Sequence, residues 1–94
     1  MQDDRFEWND DKARRNLAFH KVSFDSATAV FDDPDAIIEV DDETTEERWR
    51  TIGLAINHIL FVVWTERHGN IIRIISARRA TRHEQDRYYR QART

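Results

Sequence analysis

The second half of the chain contains three consecutive β-type runs joined by short turns, and this pattern constrains the fold more than any other feature. Residues 48–56 alternate in polarity, residues 59–65 are apolar on both faces, and residues 71–76 form a third run. The turns fall at Asn57-His58 and at His68-Gly69-Asn70. Because strands joined by such short turns run antiparallel, the pattern predicts an antiparallel sheet with residues 59–65 as its central strand.

Two helices are predicted before these strands. Asn9 is followed by two acidic residues, which is typical of an N-cap, and the helix should end near His20. Ser23 predicts a second N-cap, because apolar residues at helical spacing follow it. Asp33-Pro34 should end that second helix.

The remaining segments complete an α+β fold. Residues 5–8 read as a short edge strand, residues 36–40 as a further candidate strand, and the acidic residues 41–47 as a solvated loop. The capping box Thr81-x-x-Glu84 predicts a last helix over residues 82–93. We therefore expect one domain over residues 1–94, with an antiparallel sheet, two N-terminal helices and a C-terminal helix, the helices lying on one face and at one end.

Composition excludes several kinds of chemistry. The chain has no cysteine, no apolar run of 18 residues and no apolar N-terminal segment, so we expect a cytoplasmic protein without disulfides, membrane span or signal peptide. Its four histidines lack metal-ligand spacing, and no phosphate loop, nucleophile elbow or dinucleotide fingerprint occurs. We therefore expect no metal and no cofactor.

Charge is divided unequally along the chain. Residues 1–47 hold 15 acids and 5 bases, a net of −10, whereas residues 48–94 hold 3 acids and 10 bases, a net of +7. All ten bases of the second half are arginines, which pair with phosphates through two nitrogens at once. This asymmetry indicates a nucleic-acid surface. The alternative is that the two halves neutralise each other in the fold.

An arginine-lined groove suits one reaction that needs no metal. Arg73 interrupts an isoleucine run, so its guanidinium must either line a groove or form an ion pair, with Glu47 or Glu66 as candidates. RNA carries its own nucleophile, the 2′-hydroxyl, so a protein need only position the chain, stabilise the phosphate charge and move two protons. The proton-transfer candidates are His20, Glu47 and Glu66, with Lys12 as added positive charge.

Several motifs of the sequence resemble those of the BrnT family of toxins. The first half carries Phe6-Glu7-Trp8-Asn9-x-x-Lys12, Asn16-Leu17-x-x-His20-x-Val22-Ser23-Phe24-x-x-Ala27 and Val30-Phe31-x-Asp33-Pro34. The second half carries Glu47-Arg48-Trp49, Thr51-Ile52-Gly53, Val62-Val63-Trp64-Thr65-Glu66-Arg67 and Arg73-Ile74-Ile75-Ser76-Ala77-Arg78-Arg79-Ala80-Thr81. One departure is that the usual Lys-His-Gly reads Phe19-His20-Lys21, which makes a left-handed helix end costlier by about 1 kcal/mol.

The resemblance implies a RelE-like fold and a toxin of a type II toxin–antitoxin system. Such a toxin cleaves RNA and arrests translation. It is neutralised by a small BrnA-type antitoxin with a ribbon-helix-helix region. The complex would bind operator DNA only through this antitoxin. The residues expected to be catalytic are Lys12, His20, Glu47, Arg73 and Arg78. Those expected to bind flanking RNA are Arg48, Arg67 and Arg79. The alternative is a non-catalytic module that pairs with the antitoxin to form an autorepressor.

Overall fold

The computed structural model describes residues 5–41 and 47–92. Most of the predicted acidic loop, and Arg93 at the end of the predicted last helix, lie outside these residues. The elements in chain order are strand β1 (Phe6–Glu7), helix α1 (Asp10–His20), helix α2 (Phe24–Ala27), a 3₁₀ helix (Thr28–Asp32), strands β2 (Ile37–Val40), β3 (Trp49–Ala55), β4 (His58–Arg67) and β5 (Ile71–Arg79), and helix α3 (Arg82–Ala92).

The five strands form one mixed sheet in the order β1-β5-β4-β3-β2. The pairs β2–β3, β3–β4 and β4–β5 are antiparallel, and for the last two the short turns predict this. The prediction of a wholly antiparallel sheet is wrong at one edge, because β1 pairs with β5 in parallel, Phe6 opposite Ile72 and Glu7 opposite Arg73. No short turn joins β1 to β5, because most of the chain lies between them. Their relative direction is therefore not fixed by a hairpin.

Helix ends follow the capping signals. The side chain of Asn9 accepts a hydrogen bond from the backbone N–H of Lys12, and that of Ser23 accepts one from Ser26. Helix α1 ends with Lys21 at φ 62°, the left-handed conformation that the missing glycine makes costly. The predicted second helix is split into α2 and the 3₁₀ helix.

Three details of the hairpins differ from expectation. The first turn is Ile56-Asn57 rather than Asn57-His58, and Ile56 takes φ 58°, unusual for a β-branched residue. Strand β5 extends to Arg79, so Arg78 and Arg79 lie within the strand instead of after it. Ile75 is an extra residue in β5, because Val63 lies opposite Ser76 while Trp64 lies opposite Ile74.

Each face of the sheet packs against different helices. One face holds the larger core, in which Phe24, Ala27 and Val30 from α2 and the 3₁₀ helix pack with Val62 and Ala77. The other face holds a smaller core formed by Tyr88 of α3 with Ile37, Ile52, Ile59 and Ala80. The prediction that the helices gather on one face and one end is therefore wrong, because α3 covers the face opposite to α1 and α2.

Side-chain hydrogen bonds fix the helices on both faces of the sheet to the rest of the fold. The buried carboxamide of Asn16 in α1 accepts from Ala77 N–H at 3.1 Å and donates to the carbonyls of Ala77 and Val22 at 2.7 and 2.9 Å. On the opposite face, the Tyr88 hydroxyl donates to Asp33 at 2.7 Å, and Asp33 also accepts from Leu54 N–H. Burial and this hydrogen bond raise the pKa of Tyr88. Among the described residues, no helix is long and apolar enough to span a membrane.

Candidate functional site

Arginines collect on the sheet face covered by α3. Strand alternation places Arg50, Arg73 and Arg78 on this face, because they lie opposite Val63, Thr65 and Phe61 in the sheet. Beside α3 the face forms a cavity of about 410 Å³, which we call the arginine groove. Its lining residues are Asp41, Arg50, Phe61, Val63, Arg78, His83, Glu84 and Arg87.

Arg78 is held in the groove from two sides. Its two terminal nitrogens donate to the carboxylate of Glu84 at 2.8 and 3.0 Å, and its guanidinium lies 4.1 Å from the ring centre of Phe61. Glu84 is itself fixed by the capping box, since it accepts from Thr81 N–H at 2.8 Å while its own N–H donates to the Thr81 hydroxyl. The predicted capping box is confirmed, and it also positions the carboxylate that orients Arg78.

Glu39 of β2 joins two more arginines. It accepts from Arg50 Nε at 3.1 Å and from the guanidinium of Arg87 in α3. Arg50 also lies 3.7 Å from the carboxylate of Asp41. These pairs tie the second, basic half of the chain to acids of the first half.

Arg73 lies outside the groove, at the β1 edge of the same sheet face. It donates to Glu7 at 2.7 Å, and the two side chains are 29% and 12% exposed. The ion pair that the sequence left open is therefore present, but its acid is Glu7 and neither Glu47 nor Glu66. The parallel pairing of β1 with β5 makes this contact, and local sequence contains no signal for it.

The groove carboxylates are stabilised in their charged forms. Hydrogen bonds from Arg87 and Arg50 lower the pKa of Glu39 against the effect of burial. Burial raises the pKa of Glu84, but hydrogen bonds from Arg78 and Thr81 outweigh it and lower that pKa overall. The groove thus has its positive charge largely matched from within, and the pairs of Glu39 with Arg50 and Arg87 support the alternative that the two halves neutralise each other.

Lys12 and His20 lie together at a second site. They line a cavity of about 630 Å³ between α1 and β5, which we call the α1 cavity. Its lining residues are Lys12, Arg15, Asn16, Ala18, Phe19, His20 and Ile75. Lys12, Asn16 and His20 are spaced by four residues, so they follow one face of the helix. Ile75 of this cavity and Arg78 of the groove are three residues apart on β5, about 10 Å of strand.

The other predicted residues are spread over the surface. Glu47 is exposed, and its backbone carbonyl accepts from the Thr65 hydroxyl at 2.7 Å. Arg48 is half-buried just before β3, and Arg67 is exposed at the end of β4. Arg79 lies opposite Leu60, on the sheet face away from the groove, and its guanidinium is 3.1 Å from His58 Nε2.

Several lining residues of the two cavities were not predicted as site residues from the sequence. Arg15 and Phe19 belong to the α1 cavity, whereas His83 and Arg87 belong to the arginine groove. Helical spacing from Lys12 gives a signal for Arg15 and Phe19, at i+3 and i+7. Nothing local points to His83 or Arg87. Within residues 5–41 and 47–92, no three histidine or acidic side chains lie close enough to hold a metal ion.

Comparison with solved structures identifies the class of fold. The chain is similar to the 1.1 Å crystal structure of the Brucella abortus ribonuclease toxin BrnT, with a TM-score of 0.66 and 21% sequence identity. The similarity covers 83% of this chain and 97% of the Brucella chain. The fold thus defines a small α+β protein similar in architecture to that BrnT toxin.

The sequence itself supplies the family. Residues 8–84 match the family described as ribonuclease toxin, BrnT, of type II toxin–antitoxin system. The chain belongs to the BrnT family of ribonuclease toxins, which confirms the resemblance carried by its motifs. No curated protein matches the chain significantly.

Proposed function

We propose that this chain is a metal-independent endoribonuclease of a RelE-like kind, acting as one domain over residues 1–94 in the bacterial cytoplasm. The 2′-hydroxyl oxygen of the RNA attacks the adjacent phosphorus as its proton passes to a base. The bond from phosphorus to the 5′ oxygen breaks, and an acid protonates that oxygen. The products are a 2′,3′-cyclic phosphate and a 5′-hydroxyl end. Because the nucleophile belongs to the substrate, the protein supplies positioning, charge and proton transfer.

The proposal rests on one observation, which is that Lys12 and His20 line the cavity beside Ile75 while Arg78 lies three residues further along β5. The α1 cavity and the arginine groove lie on opposite faces of the sheet, so an RNA strand would have to pass around the edge of β5 to meet the imidazole of His20 on one face and the guanidinium of Arg78 on the other. His20 can accept or donate a proton, and Lys12 can stabilise the phosphate charge.

Arginines and one carboxylate complete the proposed site. Arg78 and Arg73 would hold phosphates once these compete with Glu84 and Glu7 for the guanidinium groups. Glu47 remains the second proton-transfer candidate. Arg48, Arg67 and Arg79 would bind flanking phosphates, and Arg79 lies on the sheet face that carries α1, away from the arginine groove.

The family description places the chain in a type II toxin–antitoxin system, so an antitoxin is its expected partner. We propose that this antitoxin is a small BrnA-type protein with a ribbon-helix-helix region. Operator DNA would then be bound through the antitoxin, because ribbon-helix-helix strands read the major groove.

One observation favours a second function, that of a non-catalytic module which binds the antitoxin. Arg50, Arg73, Arg78 and Arg87 all pair with carboxylates of the same chain. Such pairs serve the stability of the fold without any RNA. Under this alternative the chain contributes only its antitoxin-binding surface to an autorepressor complex.

Inducible expression in bacteria separates the two functions. If the chain is an enzyme, its expression should arrest growth and deplete RNA, and Lys12→Ala or His20→Ala should relieve both effects. Purified protein should leave a 2′,3′-cyclic phosphate and a 5′-hydroxyl on a test RNA, and none on its 2′-deoxy analogue. Absence of cleavage by folded wild-type protein, on free RNA and on ribosome-bound RNA, would establish the binding module instead.

A further inference from the structure

An exposed aromatic ring stands at the α1 cavity. Phe19 is 82% exposed, more than any other large apolar side chain of residues 5–41 and 47–92. Its ring meets His20 edge to face, with ring centres 4.7 Å apart. This contact orients the phenyl ring and leaves most of its surface to solvent, although it lies in the last turn of a helix whose buried side faces the sheet.

Two cationic side chains, Lys12 and Arg15, line the same cavity. Within the described parts of the chain, neither Lys12 nor Arg15 forms an ion pair with a carboxylate, whereas Arg14 beside them pairs with Asp11. Arg15 precedes Phe19 by four residues and Lys12 precedes it by seven, so helical spacing brings both cations toward the ring. The α1 cavity therefore differs from the arginine groove, where a ligand phosphate must displace a carboxylate.

We propose that the α1 cavity binds one unpaired nucleotide of the RNA, with its base stacked on Phe19 and an adjacent phosphate held by Lys12 and Arg15. This inference rests on the proposed function and adds to it a base-binding subsite beside the reaction centre. The cavity, about 630 Å³, lies within the roughly 300–1,000 Å³ typical of small-ligand sites.

Charge and ring geometry together favour RNA as the occupant. Proteins that bind single strands combine aromatic side chains, on which bases stack, with cations that follow the phosphates. A protein partner would more often meet a patch whose buried centre is poor in charge. Because the stack uses the face of the base, the subsite should accept every base and favour the larger purines.

Binding of a non-cleavable RNA tests the subsite without needing cleavage. The probe is a fluorescein-labelled decamer of 2′-O-methyladenosine, titrated by anisotropy at low salt, with the uridine decamer beside it. Phe19→Ala should weaken adenosine binding by about 5- to 100-fold, the range for loss of one stacked base. It should also reduce the preference for adenosine over uridine. Phe19→Trp should retain the affinity, and stacking should quench the indole fluorescence.

Leu17→Ala is the matched control. Leu17 is 49% exposed on the same helix but lines a different cavity, with Trp8, Ala13 and Phe24. It should leave both decamers bound within about twofold of wild type, since it removes no stacking surface. Thermal melting of both variants should match wild type, because neither side chain belongs to the buried core.

Three outcomes would overturn the subsite. These are wild-type affinity in Phe19→Ala, equal losses in Phe19→Ala and Leu17→Ala, or a Phe19→Ala variant that loses only antitoxin binding, which would make the surface a protein contact. Cleavage of ordinary RNA by the wild type is measured in parallel. RNA binding that depends on Phe19, without cleavage, would refute the proposed function and retain the subsite. Cleavage without binding that depends on Phe19 would refute the subsite and retain the proposed function.

Discussion

The carboxamide of Asn16 pairs with both backbone polar groups of Ala77, as a neighbouring strand would. Within residues 5–41 and 47–92, strand β1 pairs with β5 only at Ile72 and Arg73, so the outer edge of β5 has no strand partner at Ala77. Asn16 fills that position from α1, at 3.1 Å to the N–H and 2.7 Å to the carbonyl. One amide thereby sets the register of α1 against β5, and with it the placement of Lys12 and His20, one turn away on either side.

Replacing Asn16 by alanine should destabilise the protein by about 2–4 kcal/mol, because three buried hydrogen bonds are lost and their backbone partners stay desolvated. Urea unfolding measures the change in free energy. Asn57→Ala is the control, since Asn57 is exposed in a turn and its replacement should stay within about 0.5 kcal/mol. A loss of the same size in both variants would show that Asn16 does not anchor the helix.

Local sequence was sufficient for the parts of the fold that depend on local physics. The hairpin pattern, the caps at Asn9 and Ser23 and the box at Thr81 each act over a few residues, and each is found in the structure. Charge pattern also indicated that Arg73 must be paired or line a groove.

Contacts between distant segments could not be predicted in the same way. The pairing of Glu7 with Arg73 and the seating of Asn16 on Ala77 both span more than sixty residues. No period or motif encodes such contacts, because they arise only once β1 and α1 meet the same edge of the sheet. The bulge at Ile75 likewise depends on pairing and not on composition.

Variants of the Arg73–Glu7 pair distinguish an RNA-binding role of Arg73 from a structural one. Arg73→Gln and Glu7→Gln both remove the ion pair, but only the first removes the guanidinium. If Arg73 binds a phosphate, Arg73→Gln should reduce RNA cleavage by about 10- to 100-fold, the loss of one charged hydrogen bond. Glu7→Gln should retain cleavage.

Two measurements on these variants complete the test. Cleavage rates are compared at saturating and subsaturating RNA, and urea unfolding reports the stability of each protein. Equal losses of cleavage and of stability in both variants would assign Arg73 a structural role and remove it from the site.

The lowered pKa of Glu84 predicts a specific acid sensitivity. A carboxyl whose pKa is lower in the folded state stabilises the fold above its unfolded pKa, about 4.3 for glutamate, and this contribution is lost as the pH falls through the folded value. Glu84→Gln should therefore be less stable than wild type at pH 6, and the difference should shrink by pH 3.

Gln85→Ala serves as the non-titrating comparison on the same helix, because it removes a hydrogen bond to the Ala80 carbonyl. Its stability difference from wild type should be similar at both pH values. A Glu84→Gln difference that stays constant from pH 6 to pH 3 would mean that Arg78 and Thr81 do not stabilise the charged carboxylate.

RNA cleavage should survive an excess of EDTA. The sequence has no cysteine and no metal-type histidine spacing, and the proposed nucleophile is the 2′-hydroxyl of the substrate. Cleavage rates are measured on dialysed protein with EDTA, and again after magnesium or zinc is added. Cleavage abolished by EDTA and restored by either metal would refute the proposed mechanism.

The antitoxin should associate faster at low salt than at high salt. The arginines of the groove are matched by carboxylates of their own chain, so attraction at a distance must come from other exposed cations, of which Arg67 at the end of β4 is one. Opposite charge mainly accelerates encounter, whereas apolar contacts slow dissociation. We therefore expect an acidic toxin-binding segment, an on-rate that falls as salt rises and an off-rate that changes less.

Stopped-flow association of the two proteins at several salt concentrations measures both rates. Arg67→Gln should lower the on-rate at low salt and flatten its salt dependence. Arg14→Gln makes the same change of charge on α1, where Arg14 is already paired with Asp11, and should have a smaller effect. An on-rate indifferent to salt would exclude charge steering, and the toxin would then have to be silenced through apolar contacts or through assembly of the complex.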